Sequence, residues 1–258
     1  MASVFVTGSA DSIGRQTARD LVAGGHRVVL HARSARRGEE AQAAVPGAAG
    51  VAVGDLASLA QTADLAKAAT AQGPFDAIIH NAGISRSGSR ERSVTEDGLE
   101  ETFQVNVLAP YLLTVLMPRP SRLVYLTSGL EANGAPDLDD LQRERTEWSG
   151  MQAYCDSKLY DVVLAFAVAR LWPDVLSNAV DPGWIKTRMG GPNATDELPA
   201  GAETQIWLAT SDEPEATVTG HYFKRRRSLR ANPAAYRVEV QDGLLAACAS
   251  LTGVALTA

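Results

Sequence analysis

Short apolar runs rich in β-branched residues recur along the chain: SVFVTG, RVVLHA, GVAVG, AIIHN, RLVYLT and VLSNAV, with a further one at HYF around Tyr222. Most are apolar at consecutive positions and bounded by Gly, Asn, Asp or Ser, as strands covered on both faces are. Between them the apolar positions fall three and four residues apart, the period of a helix with one side against a core. Strand and helix alternate from residue 3 to about residue 224 without a Pro/Ser-rich linker. That is the sequence form of successive β-α-β crossovers. The pattern predicts one α/β domain, a doubly wound parallel sheet of about seven strands flanked by helices. One helix stands apart: from Met151 to Trp172 the apolar residues Leu159, Tyr160, Val162, Val163, Leu164, Phe166, Val168 and Leu171 surround most of the circumference. It is expected to be covered on several sides.

Hydrophobic residues make up 45% of the 258, ample for such a core. The formal net charge of −6 argues against nucleic acid as a partner, and the local run KRRR at Lys224–Arg227 reads as a solvated loop. The chain enters its first strand within three residues of Met1, and no apolar run reaches membrane-spanning length without a charge, so neither export nor a membrane span is expected. Cys155 and Cys248 lie far apart with no metal spacing, which suits reduced thiols in a cytoplasm. The dispersed His26, His31, His80 and His221 read as surface or packing residues, and no metal is expected.

Chemistry enters at the first turn. The strand SVFVTG meets a turn carrying Gly8 and Gly14, with Ser12 between them, and then the helical pattern RQTARDLVAGG. Glycines there let the backbone approach a pyrophosphate, whose charge sits on the free amides and positive end of the helix. At the end of the second strand a carboxylate would select the free ribose hydroxyl of NAD. No acid occurs from Leu21 to Gly38; Ala32 is followed by Arg33 and Ser34, a guanidinium and a hydroxyl suited to the 2′-phosphate of NADP. Arg36 and Arg37 read as the start of a solvated helix.

Tyr154 and Lys158, four residues apart in the segment AYCDSKLYDVVLAFAVARL, project from one helix face. Lowering a tyrosine pKa from ~10 to about 7 takes roughly 4 kcal/mol. An ammonium about 4 Å away supplies on the order of 4 kcal/mol at an effective dielectric near 20. Lys158 is therefore expected to tune Tyr154 as an acid/base group. Asn106 is unfavourable inside the apolar helix FQVNVLAPYLL and needs a reason to be there.

Taken together, the chain resembles the short-chain dehydrogenase/reductase family over almost its whole length. The phosphate turn TGxxxGxG appears as TGSADSIG, covering Gly8, Ser9, Ser12, Ile13 and Gly14, with Ser12 in place of a glycine. The adenine-binding acid after the third strand matches Asp55, followed by Leu56; NNAG appears as HNAG, giving Asn81, Ala82 and Gly83 with His80 as a departure. PGxxxT appears as PGWIKT, with Pro182, Gly183 and Thr187. The resemblance implies a Rossmann fold spanning residues 1–258, a catalytic set of Asn106, Ser128, Tyr154 and Lys158, and hydride transfer between NADP(H) and a carbonyl or alcohol. It further implies that Tyr154 exchanges the proton, Ser128 donates to the substrate oxygen, Lys158 holds the nicotinamide ribose, and Asn106 anchors a water.

The long segment 129–153 between Ser128 and Tyr154, with DLDDL, AYCDSKL and GHYF, resembles the retinol dehydrogenase branch. Residues 188–200 would form a short, polar, Gly/Pro-rich lid, which gives a long polyene little burial. A smaller or more polar carbonyl compound is expected. Two alternatives remain: a catalytically silent dinucleotide-sensing regulator, which would show damage among Asn106, Ser128, Tyr154 and Lys158, and a sugar-nucleotide epimerase or dehydratase, which needs more chain after Thr187. The family's four-helix interface implies a homodimer through the helices around Asn106 and 151–172, unless the insertion covers that surface within one chain.

Overall fold

In the computed structural model, which describes residues 1–257, parallel pairing radiates from β1 (Ser3–Val6). It takes β2 (Arg27–Ala32) on one side, with β3 (Gly50–Val53) beyond, and β4 (Ala77–His80) on the other. β5 (Arg122–Leu126), β6 (Leu176–Val180) and β7 (Tyr222–Lys224) extend the second side in parallel register, and β8 (Arg227–Leu229) closes it antiparallel. The order β3-β2-β1-β4-β5-β6-β7-β8 reverses direction between β1 and β4. A doubly wound sheet opens a crevice beyond its carboxyl ends at such a reversal.

The inner strands bury both faces. On one, Val4, Val6, Leu30, Ile79 and Val180 pack against α1 (Ser12–Ala23), α2 (Ala35–Ala44) and, later in the chain, residues 198–210. On the other, Phe5, Val29, Ile78 and Tyr125 pack against α3 (Leu59–Thr70) and the continuous helical segment formed by α4 (Glu101–Phe103), a π-helical turn Gln104–Leu108 and α5 (Ala109–Leu116). α6 (Gly150–Leu171) joins this second face, α7 (Leu198–Thr210) the first, and α8 (Val238–Thr252) lies outside α6. The period-two split of Ile78 and Ile79 between the two cores is why the strands read as unbroken apolar runs.

One expectation is corrected here. Lys224–Arg227 is not a solvated loop but the tip of the β7–β8 hairpin, which adds an eighth strand. Arg225 and Arg226 have φ of +50° and +58°, the conformation of a two-residue I′ turn, which ordinarily takes Asn or Gly. With two arginines there, the sequence carries no turn signal. Ion pairs hold the tip: Lys224 with Asp181 at 2.7 Å, Arg225 with Asp196 at 2.9 Å, and Arg226 with Glu203 at 3.0 Å. The lid segment 188–200 is also shorter than expected, because α7 begins at Leu198.

α6 is buried on nearly every side, and the chain itself supplies the cover. The 3-10 turn Gly129–Asn133 opens the insertion and lies against it, with Gly134 so close that a Cβ there would stand 2.6 Å from the Leu159 Cβ. Phe166 stacks on Tyr236 at 5.1 Å, and Arg170 donates to Gln241 at 2.9 Å. Past α8 the chain runs back over α5 and the end of α6: the Tyr111 hydroxyl donates to the Val254 carbonyl and the Trp172 indole to the Thr257 carbonyl, both at 2.7 Å. Much of the apolar surface of α5 and α6 is thus covered by residues of the same chain. Light scattering at micromolar concentration is expected to give a mass near the 27.3 kDa of one chain.

His80 stands where the family motif has asparagine. It stacks on Tyr125, with ring centroids 4.7 Å apart, and its Nε2 bonds Thr114 Oγ1 at 3.1 Å, while buried Nδ1 has no partner among the described residues. Burial pulls its pKa from 6.5 to about 3. A depressed folded pKa contributes stability that is present above 6.5 and is lost as pH falls toward about 3, by roughly 1.4 kcal/mol per unit. His80→Asn is expected to reduce the stability lost between pH 7 and pH 5 by about 2 kcal/mol, read from urea midpoints.

Candidate active site

The sheet's carboxyl edge collects the residues singled out by the sequence. α6 runs beneath the end of β5, pinned there by Thr127 Oγ1, which donates to the Lys158 carbonyl at 2.6 Å. Tyr154 and Lys158 share the face turned toward that edge, the Lys158 Nζ lying 5.8 Å from the Tyr154 ring centroid. Nζ donates to the Leu126 carbonyl at 3.1 Å and to Asp161 Oδ2 at 2.7 Å. The Asp161 side chain is 4% exposed and that of Lys158 6%. Gly83 closes over this group: a Cβ there would sit 3.3 Å from Nζ and 3.4 Å from Asn106 Oδ1.

Asn106 has its reason. It lies in the π-helical turn, and its amide accepts from Ile84 N at 2.8 Å while donating to the Ile84 carbonyl at 3.0 Å and to Ser157 Oγ at 2.9 Å. One side chain therefore ties the Gly83 loop to α6. Ser128 caps the 3-10 turn that follows it, accepting from Leu130 N at 3.3 Å. Across the cleft the lid brings Met189, whose sulfur is 3.9 Å from the Tyr154 hydroxyl.

The electrostatics correct one expectation. Burial raises the Tyr154 pKa above its ordinary value; Lys158 and the Ser128 hydroxyl pull it down, but Asp161 and Asp181 push it up again, and the net direction is upward. The simple pair of tyrosine and ammonium omitted both desolvation and the ammonium's counter-ion. Burial alone would lower Lys158, yet Asp161 and Tyr154 outweigh it, so the amine stays an ammonium. Burial also lifts Asp161, to about 6, against the pull of Lys158.

The phosphate turn is built as its glycine spacing predicts. Gly8 has φ of +64°, and a Cβ on it would stand 2.9 Å from the Ala82 backbone; Gly14 has no room for one beside Asn81 Nδ2. Ser12 takes φ of +46°, a conformation in which a residue with a Cβ is strained. Asp11 caps α1 and accepts from Ser12 N at 2.8 Å. Three guanidiniums converge on this carboxylate: Arg188 at 2.8 Å, Arg37 at 3.5 Å and Arg15 at 3.9 Å. Arg37 pairs with Glu40 on its own helix at 2.9 Å and also faces Asp11, while Arg36 pairs with the same Glu40 in solvent. An anionic dinucleotide fits this cradle: the local charge is positive, and the first-turn amides of α1 at Ile13 and Gly14 have no carbonyl four residues back to serve them.

Other predicted residues hold the groove's walls. Asn81 and Ala82 both donate backbone N–H to Thr7 Oγ1, and Asn81 Nδ2 donates to the Thr7 carbonyl at 2.8 Å. Ser9 is buried and accepts from His31 N at 2.8 Å. Asp55 accepts from Ala57 N at 3.0 Å, and Leu56 is buried beside it. Arg33 is exposed at the end of β2, while Ser34 caps α2. Gly183 donates N–H to Asp181 Oδ1 at 2.9 Å after Pro182, and Thr187 Oγ1 accepts from Gly190 N at 2.9 Å. Lys186, Thr187, Arg188, Gly191 and Pro192 line a cleft of about 580 Å³ along the lid.

Several contributors were not expected. His31 accepts from Gly8 N at 2.9 Å through Nδ1 and bonds the Gly54 carbonyl at 2.8 Å through Nε2, so it joins the phosphate turn to the third strand's end. Asp161 carried one signal, its three-residue spacing from Lys158 on one helix face. Met189 and Asp11 carried none, since their roles come from contacts across the cleft.

A model described as short chain dehydrogenase matches residues 2–121. Short-chain dehydrogenase chyC of Penicillium rubens is 41% identical over 100% of both chains. Human retinol dehydrogenase 13 is 32% identical, over 98% of this chain and 85% of its own. Among solved structures, a blue fluorescent protein from a metagenomic library in complex with NADPH is 26% identical with a TM-score of 0.68, over 86% of this chain and 95% of that one. With this sheet order, this cleft and these relatives, the chain belongs to the short-chain dehydrogenase/reductase family of oxidoreductases, in the branch that includes retinol dehydrogenases.

Proposed function

We propose that the protein is an NADPH-dependent reductase of a small or moderately polar ketone or aldehyde. The observation that carries this reading is the convergence of the Tyr154 hydroxyl, Ser128 and the Lys158 ammonium at the sheet's carboxyl edge, beside a cationic phosphate cradle. When bound, the reduced nicotinamide supplies a hydride to the carbonyl carbon. Ser128 donates a hydrogen bond to the substrate oxygen as charge develops there, and Tyr154 gives it the proton. Lys158 and Asn106 hold the floor of the site, with Gly83 leaving room above them. Arg33, Ser34 and Arg37 favour a 2′-phosphate at the end of β2, and the NADPH-bound relative is in keeping with that.

The short lid and the lysine- and arginine-rich hairpin argue for a compact polar substrate. A panel of aldehydes, ketones and quinones followed by NADPH absorbance tests the activity; no turnover of any member would overturn the reading.

Tyr154→Phe keeps the ring and removes the proton donor. Turnover is expected to fall roughly 10² to 10⁴-fold with NADPH still bound, measured by steady-state kinetics and fluorescence titration. Replacing Ala32 with Asp and Arg33 with Ser is expected to weaken NADPH and favour NADH, by repulsion of the 2′-phosphate and loss of a charge-assisted bond, read from the dissociation constants of both cofactors.

A further inference from the structure

We propose that Asp161 is a positioning residue that anchors the Lys158 ammonium from beneath and keeps the proton on Tyr154, setting the site to give a proton to a carbonyl oxygen. The part concerning reduction rests on the function proposed above; the part concerning Tyr154 does not.

The geometry is specific. Lys158 Nζ has three protons, of which one goes to Asp161 Oδ2 at 2.7 Å and one to the Leu126 carbonyl at 3.1 Å. Only one direction remains for the groups of the cleft. Asp161 receives no other hydrogen bond among the described residues, so its sole protein partner is the ammonium. With both ionised, lysine and aspartate form a pair of zero net charge. The ammonium's attraction for a phenolate at Tyr154 is then opposed by the carboxylate paired with it.

The surroundings add little that could substitute for it. On β5, Tyr125 is a buried phenol that feels Asp161; on β4, His80 is neutral and stacked on that ring; just after β6, Asp181 is paired with Lys224. The 3-10 turn contributes Glu131, committed to Asn232 N at 3.0 Å, and the π-helical turn only the neutral Asn106. Glu100 caps α4, Glu101 binds Arg86, and Asp242 of α8 pairs with Arg170. Among the described residues Lys158 therefore has one counter-ion. Removing its charge while keeping its shape, as Asp161→Asn does, leaves an uncompensated ammonium facing Tyr154.

The test reads the tyrosine directly. With 13Cζ-labelled tyrosine and Tyr154→Phe for assignment, the wild-type Tyr154 resonance is expected to titrate at or above the free-tyrosine value of ~10. In Asp161→Asn its midpoint is expected about one unit lower or more, and Asp161→Glu should restore most of the difference. A midpoint in Asp161→Asn within about 0.3 units of wild type overturns the proposal. So does a wild-type midpoint below about 8, a result that needs no variant to fold. Because the titration involves no turnover, a protein that passes it but reduces no carbonyl compound loses only the proposed function. One that reduces carbonyls yet shows no shift loses only the role of Asp161.

Discussion

A charged amine that has lost its water must be compensated where it stands, and the site is organised around that requirement. Lys158 cannot lie beneath the cleft unless something on the protein side neutralises it. The backbone carbonyl of Leu126 and the carboxylate of Asp161 do so, which commits one end of β5 and one full turn of α6. Thr127 fixes the helix against the strand, and Asn106 fixes the Gly83 loop against the helix. The Tyr154 phenol then inherits a position and an electrostatic environment that no pair of residues would create alone.

Much of this could be read along the chain. The strands are legible because a parallel sheet covered on both faces requires apolar residues at consecutive positions, as in VVL of β2 and AII of β4. Tyr154, Lys158, Ser128 and Asn106 were legible by spacing and order, and the structure brings them to one edge. What escaped was of two kinds. The β7–β8 turn escaped because Arg225 and Arg226 adopt a backbone conformation their side chains do not advertise. Asp161 and His31 escaped because their roles depend on what faces them: a desolvated ammonium and an amide of the phosphate turn.

The two ends of the ligand groove are coupled through charge. Arg188 leaves the lid to reach Asp11 at the start of α1, and Arg225 leaves the hairpin to reach Asp196 in the lid's other limb. Asp196 also accepts from Trp184 N, so the hairpin, the lid and the turn after β6 are braced as one unit. Each pair is partly exposed and contributes modestly, but their arrangement restricts how the lid can move.

The cover over α5 and α6 has a consequence for the chain's synthesis. The apolar faces around Val162, Phe166 and Trp172 are sealed by residues 233–257, which emerge from the ribosome after every strand of the sheet. Until those residues are made, a nascent chain with its sheet largely formed carries an open apolar surface next to its future active site. Contacts such as Tyr111 with Val254 join positions 143 residues apart and can form only after that point. The same segment that covers α5 and α6 in the folded chain leaves the unfinished one exposed to aggregation.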